Sequence, residues 1–164
     1  MKYAVVVCDD DPVQAEEIAK MAKNAQMYLS DEDPVEFDFK IIGHSYDEVA
    51  NYLGNNHLNG AFYFLDIELS RESKAKNGVD LAEFIKKNDE NAQIIFVTAY
   101  DKYAPLTYRR RIGAIGYISK SMSSDKIIQR IEETLRDAFD NLSSRIKFGQ
   151  RDFTYKIGRR ICKV

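Results

Sequence analysis

Tryptophan is absent from this 164-residue chain, and only two cysteines, two histidines, three prolines and eight glycines occur. Cys8 and Cys162 lie far apart and form no CxxC pair, which excludes a disulfide framework and a thiolate metal centre. A chain of this length buries roughly 70% of its unfolded surface and needs neither. Both thiols are therefore expected to be structural, in a reduced cytoplasmic protein. His44 and His57 have no Cys or His partner at ligand spacing, so neither is proposed as a metal ligand. No apolar run approaches the ~20 residues that cross a bilayer, and Met1-Lys2 leads straight into a short strand-like run. Membrane insertion and a secretory leader are not expected. Internal repeats and low-complexity tracts are also lacking, and Gly113-Ala-Ile-Gly116 is too short for a dinucleotide-binding fingerprint.

What is present is unevenly spread. The net charge of −2 conceals a basic segment, residues 145–164, with seven basic residues against the single acid Asp152. That segment carries +6 and the first 144 residues −8. An acidic body with a basic extension suggests a regulatory or metal-binding domain joined to a part that meets an anionic partner. The boundary is expected at 142–150.

Three apolar runs, Tyr3 to Cys8, Ala61 to Leu65 and Ile94 to Val97, are short, nearly continuous and rich in β-branched and aromatic residues. Strands covered on both faces have this composition. Glu36 to Ile42 alternates polar and apolar residues, as a less buried strand would. Helical spacing separates the strands: Ile18, Met21, Ala22, Ala25; then Leu81, Ala82, Phe84, Ile85; then Ile128, Ile131, Leu135, Ala138, Leu142. Asp11-Pro12 has the makings of a helix start, and Ser45 to Glu48 those of a capping box. The polar segment Arg71 to Asn77 is expected to be an enlarged loop closed by Asn77-Gly78. Alternating strand and helix imposes parallel pairing with helices on both faces, so the expected fold is α/β: a doubly wound five-stranded parallel sheet flanked by five helices. A short β-rich extension follows.

On that scaffold Asp9, Asp10 and Asp11 follow the first strand, Asp66 the third, Thr98 the fourth and Lys120 the fifth. The carboxyl ends of parallel strands converge on one edge, where ligands bind. Acids at strand ends are often helix caps, and Asp11 is expected to be one. Several carboxylates at one edge repel each other and call for a counter-charge, and oxygen donors favour a hard divalent cation such as Mg2+. Lys120 adds a fixed positive charge. A carboxylate beside such cations can attack a phosphoryl group, giving an acyl phosphate, with the Thr98 hydroxyl within the chemistry of a phosphoryl contact.

These residues resemble a known family. Val-Val-Val-Cys-Asp9-Asp10-Asp11-Pro, Phe-Leu-Asp66-Ile-Glu, Ile-Ile-Phe-Val-Thr98-Ala and Gly116-Tyr117-Ile-Ser-Lys120 are similar to the receiver domain of two-component response regulators, over residues 1–142. The resemblance implies Asp66 as phospho-acceptor, Asp9 and Asp10 as the Mg2+-binding acid pair, and the backbone carbonyl of Glu68 as a further metal ligand. It also implies Thr98 as switch hydroxyl, Tyr117 as switch aromatic moving from a solvent-facing to an inward position, and Lys120 as the phosphoryl-contacting lysine. Tyr-Phe-Leu-Asp-Ile-Glu-Leu and Ile-Ile-Phe-Val-Thr-Ala-Tyr resemble regulators of the LytTR type, particularly the accessory-gene-regulator group that answers peptide pheromones. There a receiver precedes a mostly β-stranded DNA-binding domain of about a hundred residues. Residues 143–164 would be a linker and the beginning of a truncated domain of that kind.

The implied partners are a membrane histidine kinase, promoter DNA and a second copy of the chain, meeting through the face of helix 4, strand 5 and helix 5. Arg109, Arg110 and Arg111 fall on that face and suit pairing with acids such as Asp125, Glu132 or Asp137. The implied protein is a regulatory phospho-acceptor, not a turnover enzyme; alternatives are a stand-alone receiver and a Mg2+-dependent phosphatase or nuclease. Two positions depart from the family pattern. Ser121 stands where receivers usually carry proline in a cis peptide, so trans geometry or strain is expected. The loop 69–77 replaces a short turn. Glu68 and Tyr100 flank the expected phosphoryl position and bear on hydrolysis in a direction the sequence leaves open.

Overall fold

The computed structural model describes residues 2–29, 35–70 and 75–140. Five strands, β1 (Lys2–Cys8), β2 (Glu36–Gly43), β3 (Phe62–Leu65), β4 (Gln93–Thr98) and β5 (Gly116–Ser119), form one parallel sheet in the order β2-β1-β3-β4-β5. Between them run α1 (Pro12–Met27), α2 (Tyr46–Asn55), α3 (Gly78–Asn88), a 3-10 turn (Asp101–Tyr103) and α4 (Ala104–Arg109). A fifth helix, α5, covers 124–140 at the limit of the described residues. The expected fold is the one observed. Among the described residues no helix is long and apolar enough to cross a membrane. The expected domain break and basic segment, 143–164, and with them Cys162, lie outside the described residues.

Period-two alternation distributes the sheet's side chains between two cores. Val5, Val7, Phe62, Phe64, Ile95 and Val97 face α1 and α5, where Ile18, Ala22, Ile131 and Leu135 cover them. Val6, Tyr63, Leu65, Ile94 and Phe96 face the other way, against Val49 and Leu53 of α2 and Val79, Leu81 and Ile85 of α3. Cys8 belongs to this second core, and burial, followed by neighbouring carboxylates, pushes its thiol well above the ordinary range, so it is an inert core residue. β2, at the edge, carries a bulge: Val5 pairs with Phe39 and Val6 with Ile41, which skips Lys40.

Local sequence sets the helix starts. Asp11 caps α1 by accepting from the Val13 amide at 2.9 Å, with Pro12 in the first turn. Ser45 Oγ accepts from the Glu48 amide at 3.1 Å, but the Glu48 carboxylate reaches one residue further back than a capping box requires, to the His44 amide at 2.9 Å. Of the expected loop Arg71 to Asn77, residues 71–74 lie outside the described residues, and Asn77-Gly78 closes it. The dipeptide also starts α3 with a complete capping box, Asn77 Oδ1 taking the Val79 and Asp80 amides and Asp80 taking the Asn77 amide.

At the amino-terminal edge of β3 the carboxylate of Asp89 is buried. It accepts from the amides of Gly60 (2.7 Å), Ala61 (3.0 Å) and Asn91 (3.2 Å) and from the Tyr63 hydroxyl (3.0 Å). Four donors around one anion compensate its desolvation and pin the β3 entry to the end of α3.

A candidate acidic phosphoryl site

Strand order places β1 beside β3 although β2 lies between them in sequence, so the switch point of the sheet opens at their carboxyl ends. Cys8 pairs with Leu65, and the ladder continues one residue beyond: Asp66 N donates to the Cys8 carbonyl at 2.9 Å and Asp9 N to the Gly43 carbonyl at 3.1 Å. On the other side Lys120 N donates to the Thr98 carbonyl at 2.9 Å. Backbone pairing thus fixes where Asp9, Asp66, Thr98 and Lys120 leave the sheet.

The side chains meet. Lys120 Nζ lies 2.5 Å from Asp9 Oδ2 and 3.0 Å from Asp66 Oδ2, and its side chain is only 15% exposed. Asp66 Oδ1 accepts from the Ile67 amide at 2.7 Å, and Asp9 Oδ1 from the Asp11 amide at 3.0 Å. Asp9 and Asp66 are buried and Asp10 is exposed, yet each offers a carboxylate oxygen within 4.8 Å of the others. Burial raises the Asp9 carboxyl against the opposing pull of Lys120 and the Asp11 amide. Burial pulls the Lys120 ammonium down, but its bonds to Asp9 and Asp66 outweigh it and the net direction is up, so the ammonium stays charged. Three carboxylates against one ammonium leave an excess of negative charge, and an all-oxygen donor set of this span fits a hard divalent cation.

Thr98 is fully buried, with its hydroxyl 3.4 Å from the Tyr100 amide it accepts from. Tyr117 differs from the solvent-facing position expected of it. It is half-buried, its ring centroid is 6.0 Å from that of Phe96, and its hydroxyl donates to the Tyr100 carbonyl. Burial, then the charges of Asp101 and Asp66, push this phenol up to about 12. The Glu68 side chain turns toward the turn before α4, accepting from the Tyr103 hydroxyl at 2.7 Å with Lys102 at 3.7 Å.

Arg110 stands apart in the arginine trio. It is spent inside the chain, bonding Glu83 at 2.6 Å and Asp80 at 2.8 Å, both on α3. Arg109 and Arg111 are exposed. All peptide bonds among the described residues are trans, Lys120-Ser121 included. His44 is no member of the acid cluster; its ring Nδ1 lies 3.2 Å from the Asp9 carbonyl. Two polar residues escaped the sequence: Asp89, whose donors come mostly from 26 to 29 residues away, and Gln14, whose side-chain oxygen lies 2.5 Å from Lys120 Nζ. Only the position of Gln14 one turn into the helix after the acid pair pointed to it.

Residues 5–132 match the response regulator receiver domain. The chain is similar to accessory gene regulator protein A of Staphylococcus aureus (strain N315), with 30% identity over 138 residues, 84% of this chain and 54% of that protein. It therefore spans about half the length of the curated relatives it matches. Among solved structures it is similar to the response regulatory domain of mrkE from Klebsiella pneumoniae (TM-score 0.60, 21% identity, covering 84% of this chain and 97% of that one). It is similar also to TrrA from Thermotoga maritima in complex with Mg(2+)-BeF (TM-score 0.56, 22% identity, 80% and 98% covered). At these identities the two structures speak to fold.

Proposed function

Because the chain belongs to the response regulator receiver family, and so to the two-component response regulators, we propose that Asp66 is the phospho-acceptor of a transcriptional switch. The observation that supports this most directly is the contact of Lys120 Nζ with the carboxylates of both Asp9 and Asp66, 111 and 54 residues away in sequence. A carboxylate oxygen of Asp66 attacks the phosphorus of a kinase phosphohistidine. The new O–P bond forms as the P–N bond breaks, and the imidazole nitrogen keeps that electron pair and takes a proton from solvent. Lys120 meets the charge on the phosphoryl oxygens, in a position already fixed before the donor arrives. Asp9, Asp10, Asp66 and the Glu68 backbone carbonyl would hold Mg2+, which supplies further neutralisation of those oxygens when bound.

The acyl phosphate brings up to two negative charges and three acceptors into the pocket. Thr98 donates its hydroxyl to a phosphoryl oxygen, and the space it leaves lets Tyr117 release the Tyr100 carbonyl and move further inward. That shift alters the face of α4, β5 and α5, and with it pairing with a second copy of the chain. Similarity to accessory gene regulator A, together with the LytTR-like motifs around Asp66 and Thr98, supports promoter DNA as the target of an output domain beginning at 143–164. The kinase partner follows from the family. Incubation with acetyl phosphate and Mg2+, read by intact mass, tests the scheme. The expected result is a gain of one phosphoryl group that Asp66→Asn abolishes. Repeated turnover of a phosphate ester without an adduct would instead mark a phosphatase.

A further inference from the structure

Lys120 reaches a third partner, outside the acid cluster. Its ammonium has three N–H donors, and they go to Asp9 Oδ2 at 2.5 Å, Asp66 Oδ2 at 3.0 Å and Gln14 Oε1 at 2.5 Å. Gln14 is the third residue of α1, after the cap Asp11 and Pro12. A glutamine there ordinarily folds back onto the backbone amide of the cap residue. In this chain that amide, Asp11 N, is already taken by Asp9 Oδ1 at 3.0 Å. Asp9 thus holds the α1 start with one oxygen and Lys120 with the other, and Gln14 is released to reach across to the end of β5.

From this arrangement we propose that Gln14 is a positioning residue for Lys120, an uncharged tether that aims the ammonium at the incoming phosphoryl group. The proposal rests on the phospho-acceptor reading above. When the Asp66 oxygen becomes an acyl phosphate it loses its charge and most of its strength as an acceptor, so Lys120 turns its third N–H to a phosphoryl oxygen. Asp9 and Gln14 keep the other two and define the direction of the third. An amide carbonyl can do this without cancelling charge. A carboxylate in its place would set three anions around the one cation.

The test uses the 164-residue chain, acetyl phosphate and Mg2+, with initial rates of phosphoryl gain read by intact mass. Gln14→Met keeps length and removes the acceptor; Glu16→Gln, on the exposed side of α1, is the control. Gln14→Met is expected to slow phosphorylation about fivefold, with half-saturating Mg2+ unchanged. In a Lys120→Met background the same substitution should add nothing, because Gln14 acts only through the lysine. An unchanged rate, an equal loss in both backgrounds, or a loss traced to weaker Mg2+ overturns the proposal. Where the Lys120→Met rate is too small to read, the Lys120 ammonium resonance decides: Gln14→Met should shift or broaden it, and an unaltered signal overturns the tether. Failure of the unmodified chain to gain a phosphoryl group at Asp66 sinks the phospho-acceptor reading instead, a result distinguishable from any of these.

Discussion

Gly78 stands so close to Asp66 that a Cβ added to it would lie 2.0 Å from the Asp66 carbonyl oxygen and 2.9 Å from its carbonyl carbon. The amide of Gly78 also donates to the Ile67 carbonyl at 2.7 Å, so the first turn of α3 rests directly on the backbone that presents the acceptor. Backbone cannot rotate out of the way as a side chain would. Gly78→Ala is expected to destabilise the protein by ~1–3 kcal/mol and to slow phosphoryl gain at Asp66. Urea unfolding with an unchanged midpoint would refute the first part.

The buried carboxylate of Asp89 gives a prediction about stability far from the acid cluster. Asp89→Ala leaves the Gly60, Ala61 and Asn91 amides and the Tyr63 hydroxyl short of an acceptor and is expected to cost about 3 kcal/mol, Tyr63→Phe about 1 kcal/mol. The double variant should lose clearly less than the two together, since they share one bond. Strict additivity in urea unfolding would contradict the shared bond.

Tyr63 also carries a pH dependence. Burial first, then the charge of Asp89 and the bond to it, push its phenol above the ordinary value of 10.0. The folded state keeps this proton where the unfolded chain has released it. The contribution is therefore whole below pH 10 and is lost as pH rises from there toward the folded value. Tyr63→Phe should flatten the fall of stability above pH 10 in chemical denaturation at graded pH. A slope as steep as that of the unmodified chain would show that other groups set it.

Among the three arginines, Arg110→Gln should cost roughly 1 kcal/mol, less in high salt, because Arg110 joins α4 to Asp80 and Glu83 and is only partly exposed. Arg109→Ala with Arg111→Ala should leave stability within about 0.5 kcal/mol and weaken phosphorylation-dependent pairing of two copies. Sedimentation velocity with and without acetyl phosphate separates the two effects. Undiminished dimerisation of the double variant would remove these residues from the interface.

Asp10 is the exposed member of the carboxylate group. Asp10→Asn should raise stability in Mg2+-free buffer by up to ~1 kcal/mol through relief of repulsion, and should shrink the rise in melting temperature that Mg2+ produces. A rise equal to that of the unmodified chain would exclude Asp10 as a ligand.

Legibility followed the range of the interactions. The strands, their order of burial and the α1 cap were readable because they depend on neighbours within a few residues; so were the strand-end acids, because parallel pairing brings strand ends to one edge. Asn77-Gly78 marked the end of the loop, but not that it ends in a helix cap, because the same dipeptide serves a tight turn and a helix start. Arg110 looked like a surface charge because its partners lie 27 and 30 residues back on α3. Gln14 carries no motif, and its role depends on Asp9 having claimed the amide it would otherwise take.

The pairing of β5 with β4, at the far edge of the sheet from β2, has a consequence for biosynthesis. Lys120 is the last of the clustered groups to leave a ribosome, and it can take its place only after β5 has docked. Until then a growing chain holds its acids at the β1 and β3 ends with no ammonium between them. On the proposed function, acceptance of a phosphoryl group is thus expected only from chains in which β5 has joined the sheet.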